Sequence, residues 1–141
     1  MTDFNFYQPI EVRYGDLDPQ GHVNNAKYLT YFEHARSHYL VHLGLFAENR
    51  SFLEIGIILA RITLDFFAPV QWEDKIKVGV RTTGFGNKSM KVAQNIVNRE
   101  SGQVYASGEV ILVAYDYHQE TSIPVPEDWR RTISEFEEFN E

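Results

Sequence analysis

The apolar positions of this chain follow two different periods. Between residues 25 and 43, Tyr28, Phe32, Ala35, Tyr39 and Leu43 recur at i, i+4, i+7, i+11 and i+15, the single stripe expected of a helix. Leu29, Tyr31 and Leu40 widen it, so this helix is expected to be covered on more than one side. Asn24 or Asn25 can cap its first amides, and Gly44 stands where a left-handed residue ends a helix. Ahead of it, residues 6–14 read as a strand that runs into the turn-rich stretch Gly15-Asp16-Leu17-Asp18-Pro19-Gln20-Gly21.

Beyond a short segment at 46–52 the period becomes two. Ile62, Leu64 and Phe66 alternate with Arg61, Thr63 and Asp65, and Ile76, Val78 and Val80 alternate with Lys75, Lys77 and Arg81, the pattern of half-buried strands. Gly84-Phe85-Gly86-Asn87-Lys88 reads as a hairpin connection. Strands over 89–98 and 104–116 follow, split by the turn Glu100-Ser101-Gly102. Residues 126–139 predict a short acidic helix with Pro126 near its start. There is no repeat, linker or low-complexity stretch, so residues 1–141 read as one α+β domain, an antiparallel sheet packed on one long helix. Such a sheet leaves an edge and a face uncovered. Pairing of edges between two copies would cover both, which predicts a homodimer or homotetramer.

Composition narrows the function classes. Aromatics are plentiful, with 10 Phe, 8 Tyr and 2 Trp. No apolar run nears the roughly 20 residues that span a bilayer, and the first residues show no leader pattern. The chain has no cysteine, which removes disulfides, thiolate metal sites and Cys nucleophiles and fits a cytoplasmic protein. A net charge of −7 makes it a poor partner for a nucleic-acid backbone. A small anionic ligand stays open, given a few well-placed cations.

The run Arg13-Tyr14-Gly15-Asp16-Leu17-Asp18-Pro19-Gln20-Gly21-His22-Val23-Asn24-Asn25-Ala26-Lys27-Tyr28 resembles the 4-hydroxybenzoyl-CoA thioesterase family of hotdog proteins. Its second half is also similar to the related acyl-ACP thioesterases. The likeness continues through Asp65-Phe66-Phe67-Ala68-Pro69-Val70, Asn87-Lys88-Ser89, Ala106-Ser107-Gly108-Glu109 and Ile123-Pro124-Val125-Pro126-Glu127. It implies a hotdog fold, with the sheet wrapped around the long helix, and an acyl-CoA substrate with no cofactor. It also implies site roles: Asp18 as the catalytic carboxylate, the Asn25 amide on the thioester carbonyl, and His22 as the histidine used in the acyl-ACP branch. Gln20 stands where that branch has Asn.

The chemistry holds without the likeness. Thioester hydrolysis needs a base for water or a nucleophile, and an aspartate, with an ordinary pKa near ~3.9, is ionised and able to do either. A thiol with a pKa near ~8.5 leaves with little protonation. A helix N-terminus supplies unpaired amides for the oxyanion. The plain alternative for Asp18 is a turn residue, as Asp-Pro sequences often are, and Asp16 takes that turn reading. Tyr28 and Phe32 read as core, with Tyr28 a candidate wall of an acyl pocket. Glu33 reads either as a carboxylate near the site or as a helix-surface residue.

Lys88 and Ser89 are the candidates for meeting CoA phosphates, against a solvated hairpin turn; Arg61 and Lys91 are weaker ones. His34, His38 and His42 recur at helical spacing, but the outer two lie about 12 Å apart along the axis. Packing is therefore preferred and no metal is expected. The Gly84-x-Gly86 pair is flanked by strands, unlike a dinucleotide loop, and no Gly-x-Ser-x-Gly elbow is present. Two other activities compete: a hotdog hydratase or dehydratase acting on enoyl-CoA, disfavoured by Asp18 and the position of His22, and a non-catalytic acyl-CoA-binding protein.

Overall fold

The computed structural model describes residues 4–46 and 56–139. Five strands form one antiparallel path: β1 (Tyr7–Ile10), β2 (Ile57–Phe66), β3 (Ile76–Phe85), β4 (Ser89–Asn98) and β5 (Val104–Asp116). Their order is β1-β3-β4-β5-β2, and β6 (Thr121–Ser122) pairs with the end of β5. The long helix α1 (Asn25–His42) precedes β2, and α2 (Glu127–Glu137) closes the chain.

Register explains the period-two pattern. Val78, Ile96, Ala106 and Phe66 share one cross-strand row, and Val80, Gln94, Gly108 and Leu64 share the next on the same face. That face receives α1, whose Tyr28, Tyr31, Phe32, Ala35, Arg36, Tyr39 and Leu40 are buried. Gly108 has a purpose in this packing: a Cβ there would lie 2.3 Å from the Thr63 carbonyl oxygen and 3.3 Å from Phe32 Cε2. A bare backbone at that point lets Phe32 settle on the sheet.

The helix ends as its residues predict. The Asn24 side chain accepts the Ala26 amide at 2.9 Å. At the other end Leu45 N donates to Leu40 O and Gly44 N to Val41 O, with Gly44 at φ +77, the paired bonds of a Schellman stop.

Several expectations differ in detail. The first strand is shorter than 6–14, because pairing with β3 ends at Ile10 and Tyr14–Asp16 coils into a 3₁₀ turn. β2 does not follow a hairpin succession but lies beyond β5 at the far edge. Leu29 does not widen the buried stripe; it is exposed, as are Leu59, Phe66 and Phe67 around β2. The expected wrapping of α1 is therefore present on its sheet side and open beside β2. Most of the 46–52 segment lies outside the described residues. Among the described residues no helix is long and apolar enough to cross a membrane.

Candidate active site

The turn before α1 is held by a dense set of bonds. Asp18 N donates to His22 O at 2.9 Å and Gly21 N to Asp18 O at 3.0 Å, with Gly21 in the left-handed region at φ +89. The Asp18 carboxylate accepts the Gln20 amide at 2.9 Å, and its other oxygen lies 3.8 Å from His22 Nδ1. Only 19% of the Asp18 side chain is exposed. His22 bridges to Gln71, and Val23 N donates to Val70 O at 2.9 Å, so the loop is pinned to the segment leaving β2.

Asn25 is the first residue of α1. Its neighbours' amides are all engaged: Asn24 N on Asp16 O, Ala26 N on the Asn24 side chain, Lys27 N on Asn24 O, each at 2.9 Å. Among the described residues the Asn25 amide has no such acceptor. An unpaired amide at a helix N-terminus is a ready anion or oxyanion site. One turn on, Tyr28 is buried and meets Phe66 edge to face at 5.0 Å. Burial pushes its hydroxyl pKa up.

Asp16 is the residue that the turn reading undervalued. It is 2% exposed and accepts the Tyr31 hydroxyl at 2.7 Å and the Arg13 amide at 3.1 Å. Arg13 Nη2 and Lys27 Nζ stand 3.6 and 4.0 Å from its other oxygen. Burial pushes its pKa up, but the Tyr31 and Arg13 hydrogen bonds and the two cations outweigh this and hold it below the ordinary value. Its carbonyl meanwhile accepts Asn24 N, so Asp16 ties the loop to α1 at two levels. The sequence signal was Tyr31, a tyrosine on the buried stripe of the helix; its hydroxyl needs a partner once the ring is buried.

The structure does not bring every candidate together. Lys88 and Ser89 sit on the β3–β4 hairpin, where Lys88 Nζ donates to Ser122 Oγ at 3.4 Å and Ser89 O accepts Gly86 N at 2.9 Å. β3 runs its whole length between that hairpin and the end beside the motif loop, about 30 Å at strand rise. Within one chain, then, Lys88 and Asp18 cannot share a ligand's reacting end. Glu33, Arg61 and Lys91 are exposed. The His34 and His38 rings face each other at 4.5 Å on the exposed side of α1, whereas His42 packs against Phe6 and Phe136.

A helix lying on an antiparallel sheet, entered through a pinned carboxylate loop, is the layout of a hotdog-fold hydrolase. Residues 12–133 match the Thioesterase-like superfamily, and the chain belongs to that family as a thioester hydrolase. The Acyl-CoA thioester hydrolase YbgC of Escherichia coli is 27% identical over 82% of this chain and 86% of its own length. The Long-chain acyl-CoA thioesterase FadM of E. coli is 25% identical over 89% of this chain and 95% of its own. A thioesterase from Thermus thermophilus, solved with coenzyme A and Zn, superposes with a TM-score of 0.85 at 32% identity, covering 99% of this chain and 100% of that one.

Proposed function

We propose that the chain hydrolyses acyl-CoA thioesters, with Asp18 as the working carboxylate and the Asn25 amide holding the oxyanion. One observation carries this reading: in the first turn of α1 the Asn25 amide, which has no acceptor among the described residues, lies directly after the loop that presents Asp18. Asp18 either takes a proton from water or attacks the thioester carbonyl itself. The negative charge that develops on the carbonyl oxygen meets the Asn25 N–H and the positive end of α1. With water as the nucleophile, collapse expels the CoA thiolate, which takes up the proton Asp18 removed. With Asp18 as the nucleophile, collapse expels the thiolate and leaves a mixed anhydride. Water cleaves this to the free acid and the regenerated carboxylate, its remaining proton going to the thiolate. His22, beside the carboxylate, helps to orient it.

The ~30 Å separation points to a homodimer. β2 has an unpaired outer edge among the described residues, bordered by exposed Leu59 and Phe66. Antiparallel pairing of β2 with its copy lays Phe66 of one subunit opposite the Ile57 end of the other. That end shares its row with Ala114, which takes the Lys88 carbonyl, and Val113, which pairs with Ser89. Lys88 and Ser89 of the partner subunit then lie about 14 Å, three strand spacings, across the joint from β2. There they can meet the phosphates of a CoA whose thioester is at Asp18. A cytoplasmic location fits a chain without cysteine.

Asp18→Asn and Asp18→Ala are expected to lower kcat by about 10²–10⁴-fold, the usual worth of a general acid–base group, with the thermal midpoint little changed. The assay is thiol release from a panel of aliphatic and aromatic acyl-CoAs. Turnover close to the parent in both variants would refute the assignment. Single-turnover hydrolysis in ¹⁸O-water separates the two roles: unlabelled acid in the first turnover marks attack by Asp18, and labelled acid marks attack by water.

A further inference from the structure

The C-terminal helix has a polar contact that neither the core nor the motif loop explains. Arg130, on the first turn of α2, reaches across to the β3–β4 hairpin and donates through Nη2 to the carbonyls of Gly86 and Asn87, the latter at 3.1 Å. Its guanidinium also lies over the Phe85 ring, 5.0 Å from the centroid. The segment leading into α2 grips the same hairpin: Val125 N donates to Asn87 O at 3.0 Å, and Ser122 Oγ receives Lys88 Nζ at 3.4 Å. From the sheet side, Ala114 N holds the Lys88 carbonyl at 2.9 Å. The backbone carbonyls of residues 86, 87 and 88 are therefore all tied down, two of them by one guanidinium.

A hairpin tip has few contacts of its own and ordinarily moves freely. This one is braced by an always-charged guanidinium whose Nη2 alone serves two adjacent acceptors. The brace sits far from Asp18 and touches none of the reacting atoms. It acts on the position of Lys88 and the backbone around it.

We propose that Arg130 is a positioning residue for the nucleotide end of the CoA substrate. It fixes the hairpin so that Lys88 meets the phosphates of the ligand. This rests on Lys88 being a phosphate contact, as set out under the proposed function. A loose hairpin would have to be ordered on binding, which weakens binding without touching the chemical step.

The test compares acyl-CoA with the matching acyl-pantetheine, which carries the same thioester and no nucleotide. Arg130→Met is expected to raise KM for acyl-CoA about three- to tenfold, the scale of one ordinary net hydrogen bond at an exposed site, with kcat held. KM for acyl-pantetheine should not move. Arg130→Lys, which keeps the charge and can serve one carbonyl, should restore part of the loss. In the double variant with Lys88→Met the two effects should be less than additive, because Arg130 acts through Lys88. An equal rise in KM for both substrates, or a fall in kcat alone, overturns the proposal by showing a general effect on the fold. If Lys88→Met raises KM for acyl-CoA and Arg130→Met does not, the positioning role fails alone. If neither variant moves KM, the assignment of Lys88 to the phosphates fails and the positioning role with it.

Discussion

Replacing Gly108 by alanine tests the packing on which the site stands. An added Cβ would come within 2.3 Å of the Thr63 carbonyl oxygen, 3.3 Å of Leu64 Cδ1 and 3.3 Å of Phe32 Cε2. Thr63 and Leu64 belong to the neighbouring strand β2, and Phe32 is the buried centre of α1. A carbonyl oxygen in a strand ladder cannot swing aside, so β2 must retreat by about an ångström or α1 must lift. Overpacking of this kind costs about 1–3 kcal/mol, and a blocking backbone atom puts this site toward the upper end. Gly79 is the matched control. A Cβ there would meet Asn95 Oδ1 at 2.6 Å and the Phe4 ring at 2.8 Å, both side chains that can rotate away, so Gly79→Ala should cost about 1 kcal/mol or less. Urea unfolding followed by circular dichroism reads both, as a fall in midpoint with the slope unchanged. Gly108→Ala should also lower activity, since β2 leads through Phe66 to the wall beside Tyr28. A Gly108→Ala midpoint within about 0.5 kcal/mol of the parent, or one no lower than that of Gly79→Ala, would refute the close approach of α1 and β2 at this point.

Two further substitutions probe the buried carboxylates. Asp16→Asn should destabilise the fold at neutral pH by about 1–3 kcal/mol, the range for hydrogen bonds to a charged group, and lower kcat more than it raises KM. Because the Asp16 pKa is held down in the folded state, its contribution is present above the unfolded carboxylate pKa and fades as pH falls through the folded one. The stability gap between parent and Asp16→Asn should narrow in acid, and a gap constant across pH in thermal melts would contradict this. Glu137 has the opposite sign. It is 7% exposed, accepts the Tyr39 hydroxyl at 2.5 Å and the Thr82 amide at 3.2 Å, and keeps Oε1 buried without a partner. Burial holds its pKa up against those bonds and the nearby Arg81 charge. The stability it supplies is therefore full below the unfolded pKa and lost as pH rises through the folded one. Glu137→Gln, which can still accept both bonds, should remove that slope; a stability gap between parent and variant that stays constant across pH would count against it.

How much of this was legible in the sequence follows from how local each cause is. The helix could be read to within a residue because everything that starts and stops it lies in the chain beside it: Asn24 as cap, the aromatic stripe, Gly44 as the left-handed stop. The limits of β4 and β5 were equally plain, since turn residues bracket both. The place of β2 was not, because an alternating strand looks the same at either edge and only pairing with β5 decides it. Asp18 and Asn25 were named as candidates because the motif whose resemblance implies them lies in one stretch, seven residues apart across one loop. The role of Asp16 depends on Tyr31, fifteen residues away, and a period count that assigns Tyr31 to the core says nothing of where its hydroxyl goes. The setting of Lys88 was the least legible, since its hairpin and the motif loop lie at opposite ends of β3, and no spacing along the chain reveals which end of a second copy faces the first. The proposed pair of Asp18 and Asn25 is thus a property of one loop, whereas the proposed phosphate contacts are a property of an edge. The residues that choose the acyl group should therefore be sought where α1 and the exposed side of β2 lie open, and not around Asp18.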